Sequence, residues 1–267
     1  GVASGKTKYF GEAPAAGEVV HWIDFSSFDT PGEGYRLRIG ELESFPFDIG
    51  TDIYSELKYD ALAFFYHQRS DVPIEMPYAG GEQWTRPAGH VRDRKTKCAA
   101  SAGCDYTLDV SGGWYDAGDH GKYVVNGGIT LWTLFNQYER AKHLGTSVRD
   151  FADGKMSIPE NKNRIPDLLD EARYEAEWML KMQVPEGKPK AGMVHHRVHD
   201  EGWTAIPTRP DKDDRPRTLQ APCTSATLNM AAVAGKLAAI GPGPAVLLAA
   251  AALIGGLALK AAMVPFH

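Results

Sequence analysis

Two aspartates stand three residues apart in a glycine- and aromatic-rich stretch, "GGWYDAGDHGKYVVNGG" at residues 112–128. Carboxyl groups that face one cavity can hydrolyse a glycosidic bond, because one activates water while an acid protonates the leaving oxygen. The pattern predicts Asp116 and Asp119 at the start of a helix, where backbone N–H groups favour the ionised form, so at least one would act as a base. Ordinary capping residues and a calcium site remain alternatives, although calcium usually needs more oxygen ligands than two.

The residues around the two aspartates suit a bulky ligand. Glycines on both sides allow close backbone approach, and Trp114 and Tyr123 offer stacking faces or polar tips. Six tryptophans and eleven tyrosines fit a carbohydrate-binding surface and equally fit a large core. A net charge of −5 without any basic run gives no electrostatic case for a nucleic-acid partner.

The cysteines and the first residue bear on the cellular compartment. Three cysteines are too few for a disulfide scaffold. Cys98 and Cys104 could close a small loop in an oxidising compartment, remain free thiols or bind zinc. The chain starts at Gly1 rather than at methionine, which predicts a processed or excised piece, so the missing signal peptide does not argue against secretion.

Residues 17–49 have the pattern of strands. "EVVHWIDF" and "GYRLRIG" flank the turn cluster "DTPGEG", and alternation in the second segment places Tyr35, Leu37 and Ile39 on one side. This pattern predicts the last hairpin of a small β domain whose earlier strands are absent.

From residue 51 the apolar period becomes helical. A first helix is predicted in "TDIYSELKYDALAFFYHQRS", with these residues on its buried face: Ile53, Leu57, Ala61, Phe64 and Phe65. A second helix should start within the aspartate stretch and end at Gly145. A third should start at Pro166, with a buried face formed by Leu168, Ala172, Ala176 and Met179, and a fourth should cover "CTSATLNMAAVAGKLAAI". Long helices separated by long polar loops predict a helical barrel or toroid whose loops build a cleft.

The end of the chain differs in composition. "PAVLLAAAALIGGLALKAAMVPFH" is alanine-rich and nearly uncharged, and no Asp or Glu occurs from Arg215 to His267. A membrane span needs about 20 apolar residues, a length that the segment from Ile240 to Val264 reaches. A buried helix and a membrane segment both remain open for residues 240–267.

The aspartate stretch resembles the signature of glycoside hydrolase family 9, the inverting cellulases. Other segments resemble consecutive family segments in the same order: "FPFDIGTDIYSELKYDALAFFYHQRS", "RPAGH", "IPDLLDEARYEAEWMLKMQ", "AGMVHHRVHDEGWT" and "CTSATLNMAAVAGK". The resemblance implies a mainly α fold, a partial (α/α)6 barrel preceded by a remnant of a β-sandwich (Ig-like) module. The expected domains are the Ig-like remnant at residues 1–48, the N-terminal part of the barrel at 49–239, and a tail of foreign or uncertain origin at 240–267.

The resemblance also assigns roles to individual residues. It implies that Asp119 is the general base that activates water and that Asp116 helps to hold that water. "VHHRVHD" offers His195 and His196 as sugar contacts, of which we favour His196. Trp203 is a platform for a sugar ring. Trp114 and Tyr123, within the signature itself, complete the expected substrate-binding set.

The chain departs from the family pattern after the fourth helix. The family's proton donor is a glutamate far downstream, whereas the last glutamate here, Glu201, already lies in an early segment. We therefore expect a C-terminally truncated endo-β-1,4-glucanase with weak or no activity; the alternatives are a non-catalytic glucan-binding fragment and a membrane-associated product. "LIGGLALKAAMVPFH" resembles a stretch of the antiporter-like subunits of respiratory complex I, which indicates a chimeric junction near Ala239.

The expected partners and cofactors follow from the same resemblance. The partner is a β-1,4-glucan polysaccharide, the parent enzyme is secreted, and the chain is a monomer. No cofactor is required, and a structural calcium or zinc ion is left open. A partial barrel should also leave large apolar patches exposed.

Overall fold

The computed structural model describes residues 1–145 and 148–240. The chain divides into two compact units, of which the first is Gly1–Tyr59 and the second begins at Asp60. Residues 241–267 lie outside the described residues, and with them nearly all of the segment for which a buried helix or a membrane span was predicted. Within the described ranges, no helix combines the length and apolar character needed to cross a membrane.

The first unit is built from short antiparallel strand pairs. Its strands are β1 Lys8–Ala13, β2 Glu18–Trp22, β3 Gly32–Tyr35, β4 Arg38–Ile39, β5 Leu42–Glu43 and β6 Phe47–Ile49. The pairs are β1 with β2, β3 with β6, and β4 with β5. The predicted hairpin between the segments of β2 and β3 is therefore wrong. Strand β2 pairs with β1 and strand β3 pairs with β6. Strand β1 lies in a segment without a clear strand pattern.

The first helix, α1, covers Ser55–Gln68, but the predicted buried face is wrong. Leu62 and Tyr66 are buried, whereas Leu57 and Phe64 are 56% and 53% exposed. Apolar residues occur on most sides of this helix, so their spacing does not select one face. The exposed aromatic and aliphatic side chains agree with the expectation of uncovered apolar surface.

Three longer helices carry the core of the second unit: α2 Val124–Leu144, α3 Asp167–Lys181 and α4 Thr224–Ile240. Helix α2 packs against both α3 and α4. The predicted end of α2 is confirmed, because Gly145 follows it in the left-handed conformation with φ 63°. The predicted face of α3 is also confirmed, since the following residues are all buried: Leu168, Ala172, Ala176 and Met179.

The segments between the helices are not only loops. They contain β7 Thr96–Cys98, β8 Thr107–Leu108, β9 Lys122–Tyr123, β10 Val194–His195, β11 Arg197–Asp200, β12 Arg217–Leu219 and β13 Pro222–Cys223. Five of these strands form a sheet in the order β8-β7-β12-β11-β9. Strand β12 runs parallel to β7, and the other neighbours are antiparallel. This sheet places β9, and the loop before it, beside the segment that contains the candidate histidines.

The strands change the fold class from the one expected. The described residues are 36% helical and 19% strand, so the expectation of a mainly α chain is not confirmed.

A disulfide joins Cys98 to Cys104 with their Cα atoms 5.8 Å apart, which decides among the three states that the sequence left open for this pair. Cys223 is a free thiol.

Candidate active site

Asp116 and Asp119 belong to a tight loop, residues 116–121, which we call the aspartate loop. The Asp116 N–H donates to the Gly121 carbonyl at 2.8 Å, and the His120 N–H donates to the Ala117 carbonyl at 3.1 Å. The predicted position at a helix start is wrong, because β9 separates the loop from Val124, the first residue of α2. Strand pairing with β11 keeps β9 extended. The helix terminus therefore does not explain the charge state of these carboxylates.

The carboxylate of Asp116 has a defined orientation. Its Oδ1 accepts a hydrogen bond of 2.8 Å from Nδ2 of Asn126, in the first turn of α2. Asp116 is exposed and Asp119 is half-buried. Burial raises the pKa of Tyr123, and the negative charge of Asp119 adds to that effect. The charges of both aspartates thus act on Tyr123, which lies in β9 directly after the loop.

A groove runs past Asp116. One cavity has Asp116, Tyr123 and Glu175 in its lining. A neighbouring cavity is lined by Asp116, Ala117, Gly118 and His120 of the aspartate loop. The two cavities share Phe64, Gln68, Tyr115 and Asp116 as lining residues, so the Asp116 side chain stands where they adjoin.

Glu175, at the floor of the first cavity, was not among the candidates from the sequence. Its Oε2 accepts the Trp114 N–H at 2.7 Å, and the residue is 1% exposed. Burial raises its pKa to about 8, with the charges of Glu171 and Asp116 adding to the effect. A Cβ at Gly127 would clash with Glu175 Oε1, so glycine at this position lets the Glu175 side chain keep its place. An acidic residue on the buried face of α3 was the signal that could have identified it.

Trp114 has little free surface. It is 6% exposed, its Nε1 donates to Glu171 Oε1 at 2.8 Å, and its ring lies 4.8 Å from that of Phe65. Glu171 in turn pairs with the buried Arg69, with its Oε2 2.8 Å from an Arg69 nitrogen. These contacts give Trp114 a packing role in the wall of the groove.

The structure separates the two candidate histidines. His195 is fully buried, with Nδ1 2.6 Å from the Gln220 carbonyl and Nε2 2.9 Å from the Tyr106 hydroxyl. His196 is half-buried, and its ring stands edge-on to Tyr123 at 6.3 Å. Burial lowers the pKa of His196, which favours a neutral imidazole next to the groove. His196 is therefore the more accessible of the two histidines, and it lies beside Tyr123.

Trp203 lies on the surface. It is 76% exposed, and its carbonyl accepts a hydrogen bond from the Arg215 guanidinium. Of the predicted site residues, Asp116, Tyr123 and Trp114 line the first cavity, whereas Asp119, His195, His196 and Trp203 line neither of the two cavities at Asp116. His196 contacts Tyr123 edge-on, and the charge of Asp119 acts on Tyr123.

A buried ion-pair network contacts the aspartate loop on its protein side. Lys122 is fully buried, with Nζ 2.9 Å from Asp93 Oδ2 and 2.6 Å from the Val110 carbonyl. Asp93 also pairs with Arg217 at 2.9 Å, and Arg217 donates to the His120 carbonyl at 3.0 Å. Charges buried in this way are tolerated because each has a partner. The network thus holds the loop in two places: Arg217 binds the His120 carbonyl, and Asp93 binds Lys122, the residue directly after the loop.

A compact set of metal-ligand side chains adjoins this network. His90, His120, Asp200 and Asp213 are all buried, and one potential ligand atom from each lies within 4.8 Å of the others. No motif in the sequence indicated this set, because its members come from four separate segments. They are the residues of the described chain that could hold a metal ion.

A helical core with carboxylates in a loop beside a groove fits the class of glycoside hydrolases. The chain belongs to glycosyl hydrolase family 9, whose family model matches residues 54–241. The model of the cellulase N-terminal ig-like domain matches residues 1–44. The resemblance of the tail to a complex I subunit finds no support in these comparisons.

Relatives from two bacteria have high identity to the chain. A cellulose 1,4-beta-cellobiosidase of Acetivibrio thermocellus is 54% identical over 80% of the chain, and endoglucanase C of Cellulomonas fimi is 51% identical over 88%. The matched part spans only 26% and 22% of those two relatives.

Solved structures agree with the family assignment. A metagenome-derived glycoside hydrolase family 9 endoglucanase superimposes with a TM-score of 0.77 and 30% identity, covering 94% of this chain and 43% of that one. A Bacteroides ovatus GH9 structure gives 0.74 and 31%, covering 97% of this chain and 50% of the other.

Proposed function

We propose that this chain carries the water-activating half of an inverting β-1,4-glucanase site. The observation that carries the proposal is the position of Asp116, which stands where two cavities of one groove adjoin. Two adjoining cavities with a carboxylate between them suit a linear polysaccharide that binds on both sides of the cleaved bond. Relatives named cellulose 1,4-beta-cellobiosidase and endoglucanase C support a glucan as the substrate class.

The two aspartates have different roles toward the attacking water. Asn126 fixes one oxygen of Asp116, so its other oxygen can orient a water molecule without taking its proton. Asp119 then acts as the general base. Inversion follows because the water attacks the face of the sugar opposite to the leaving oxygen, which requires an acid on the far side.

Glu175 does not supply that acid. Although its raised pKa of about 8 keeps it protonated at neutral pH, it is 1% exposed and accepts the Trp114 N–H. Among the described residues, the carboxyl groups that line the two cavities are those of Asp116 and Glu175. Loss of a general acid lowers a rate by about 10² to 10⁴, so the chain on its own should hydrolyse natural glucan weakly or not at all.

Sugar contacts complete the proposed site. Tyr123 lines the cavity at Asp116, and His196 stands beside it. Trp203, exposed to solvent, would stack on a ring farther along the glucan. The Cys98–Cys104 disulfide supports an oxidising location and therefore a secreted parent enzyme. The chain is proposed to act as a monomer.

The alternative is a glucan-binding fragment without catalysis, which the groove and the buried position of Glu175 also support. Calorimetric titration with cellohexaose and a reducing-sugar assay on carboxymethyl cellulose test both proposals on the same chain. We expect measurable binding, weakened by His196→Ala, with few or no new reducing ends. Ready cleavage of carboxymethyl cellulose that Asp119→Asn abolishes would show that a proton donor is present after all. A failure to bind cellohexaose would overturn both proposals.

A further inference from the structure

We propose that His90, His120, Asp200 and Asp213 form a structural binding site for one zinc-class divalent cation beneath the aspartate loop. The four side chains come from the segment before β7, from the aspartate loop, from the end of β11 and from the loop before β12. Their potential ligand atoms lie within 4.8 Å of one another. All four residues are buried, so the site would be closed to substrate.

The first observation is an unpartnered nitrogen. The side chain of His90 is 2% exposed, and its buried Nε2 has no hydrogen-bond partner. Its Nδ1 lies 2.7 Å from the Tyr115 hydroxyl. When Nδ1 carries the ring proton and donates it to Tyr115, the lone pair of Nε2 points toward the cluster. A buried acceptor in that state lacks a partner, and a metal ion would supply one.

The spacing of that nitrogen fits a shared ion better than a hydrogen bond. His90 Nε2 is 3.8 Å from Asp213 Oδ2, which is too long for a hydrogen bond. Two ligands of a tetrahedral zinc ion, each bound at about 2.0 to 2.2 Å, stand about 3.4 Å apart. The distance from His120 Nδ1 to the same Asp213 oxygen is 2.8 Å, which is shorter than this ligand-to-ligand separation.

The second observation is an excess of acceptors. The Thr204 hydroxyl lies 2.7 Å from Asp200 Oδ2 and 2.7 Å from Asp213 Oδ2. A hydroxyl has one proton, so it can donate to only one of these two carboxylates at a time. The other contact brings two electron-rich oxygens together, and a cation between the carboxylates would remove that repulsion.

The charges of the surrounding groups point the same way. Three carboxylates meet here, those of Asp93, Asp200 and Asp213, whereas the buried cations that face them are Arg217 and Lys122. With both histidines neutral, one negative charge has no counterpart. A divalent cation, or a proton on His120, would compensate for it.

The outer oxygens and nitrogens of the set are already held by neighbours. Arg217 donates to Asp200 Oδ1 at 2.9 Å, and the Arg215 N–H donates to Asp213 Oδ1 at 3.2 Å. Tyr115 holds the far nitrogen of His90. Such contacts orient metal ligands in proteins. The inner atoms contact one another and the Thr204 hydroxyl, and an ion would replace these contacts.

The donor set selects the class of metal. Two imidazole nitrogens and two carboxylate oxygens suit zinc or a similar transition-metal ion. Calcium and magnesium prefer oxygen ligands alone. Because His120 directly follows Asp119, the ion would tie the aspartate loop to the segments of His90 and Asp213 and would hold the proposed base in place.

Zinc binding to the full chain tests this proposal without an activity assay. The metal-free, non-reduced chain is titrated with Zn²⁺ against a chromophoric chelator, and its Tm is measured with and without one equivalent. Co²⁺ replaces Zn²⁺ in a second titration, because tetrahedral Co²⁺ has an intense visible absorption. We expect one ion per chain, a higher Tm and the tetrahedral cobalt spectrum.

Variants locate the ion. His90→Gln and Asp213→Asn should each weaken zinc binding more than tenfold, and Tyr115→Phe, which removes only the outer hydrogen bond, should weaken it by about 10-fold. His143→Gln and Asp214→Asn, at exposed positions, are the matched controls. The proposal is overturned if the ligand variants bind zinc as the wild type does, or if the wild type binds none and its Tm is unchanged. Circular dichroism of each variant establishes that it is folded.

Discussion

Asn126 Nδ2 donates a hydrogen bond of 2.8 Å to Asp116 Oδ1, which joins the first turn of α2 to the aspartate loop. The rigid helix thereby sets the orientation of the carboxylate that we propose to hold the attacking water. The relationship was not visible in the sequence, because the aspartates were expected to lie at the start of the helix rather than in a separate loop that the helix contacts.

Replacing Asn126 with alanine should misorient Asp116. We expect hydrolysis of an activated cellobioside to fall by about 10- to 100-fold, since small errors in position have effects of that size. Substrate binding and the Tm should change little because Asp116 is exposed. Thr133→Ala, also exposed on α2 with its hydroxyl bonded only to its own helix, is the control. Equal rates for the two variants would argue against a role for the hydrogen bond.

Glu175 should make the chain less stable as the pH rises. Its pKa is raised from 4.5 to about 8 by burial, so the folded state keeps a proton that the unfolded chain releases above its own pKa. The free energy of unfolding should therefore fall between about pH 4.5 and pH 8, by roughly 1 kcal/mol per pH unit. Glu175→Gln keeps an acceptor for the Trp114 N–H and should flatten this dependence. Urea unfolding across that range measures it, and the same slope in both proteins would contradict the assignment.

Lys122 should be essential to the stability of the second unit. Its removal in Lys122→Met leaves Asp93 Oδ2 and the Val110 carbonyl without their buried donor, while Asp93 Oδ1 keeps its pair with Arg217. Breaking a buried pair in this way costs about 3 to 5 kcal/mol. Lys97→Met, at an exposed position, should change the free energy of unfolding by less than about 0.5 kcal/mol. Denaturant unfolding compares the two, and a similar small loss in both would show that the ion pair contributes little.

Alanine substitutions of the two neighbouring histidines, His195 and His196, should have different effects. His195→Ala leaves the Gln220 carbonyl and the Tyr106 hydroxyl without partners and should lower the free energy of unfolding by about 2 to 3 kcal/mol. His196→Ala should leave stability nearly unchanged and weaken cellohexaose binding. Thermal unfolding and calorimetric titration on both variants separate these effects. The reverse pattern would move the sugar contact from His196 to His195.

The sequence predicted elements whose signals are local. Pro166 and the spacing of Leu168, Ala172 and Ala176 were sufficient for α3, and Gly145 was sufficient for the end of α2. The face of α1 could not be predicted, because its apolar residues surround the helix and burial is decided by what packs against it. Helix α2 does start within the aspartate stretch, at Val124, but the two aspartates do not lie at its start, because the pairing of β9 with β11 depends on residues far along the chain.

The site was predictable in part for the same reason. The signature carried Asp116 and Asp119, and the segment with His195 and His196 was found as a pair. The resemblance already favoured His196 over His195. The structure adds the partners of each ring, the Gln220 carbonyl for the buried His195 and Tyr123 for the half-buried His196. The set around His90 could not be predicted, because no two of its four members lie near each other in the sequence.

Hydrolysis of 2,4-dinitrophenyl β-cellobioside by this chain tests the central claim most directly. Its leaving group departs without protonation, so the reaction needs the water-activating aspartates and not the acid. The account predicts hydrolysis above the buffer rate, a loss of about 10² to 10⁴ in Asp119→Asn, and no loss in the exposed control Asp214→Asn. Hydrolysis that Asp119→Asn leaves unchanged, or none by the wild-type chain, would contradict it.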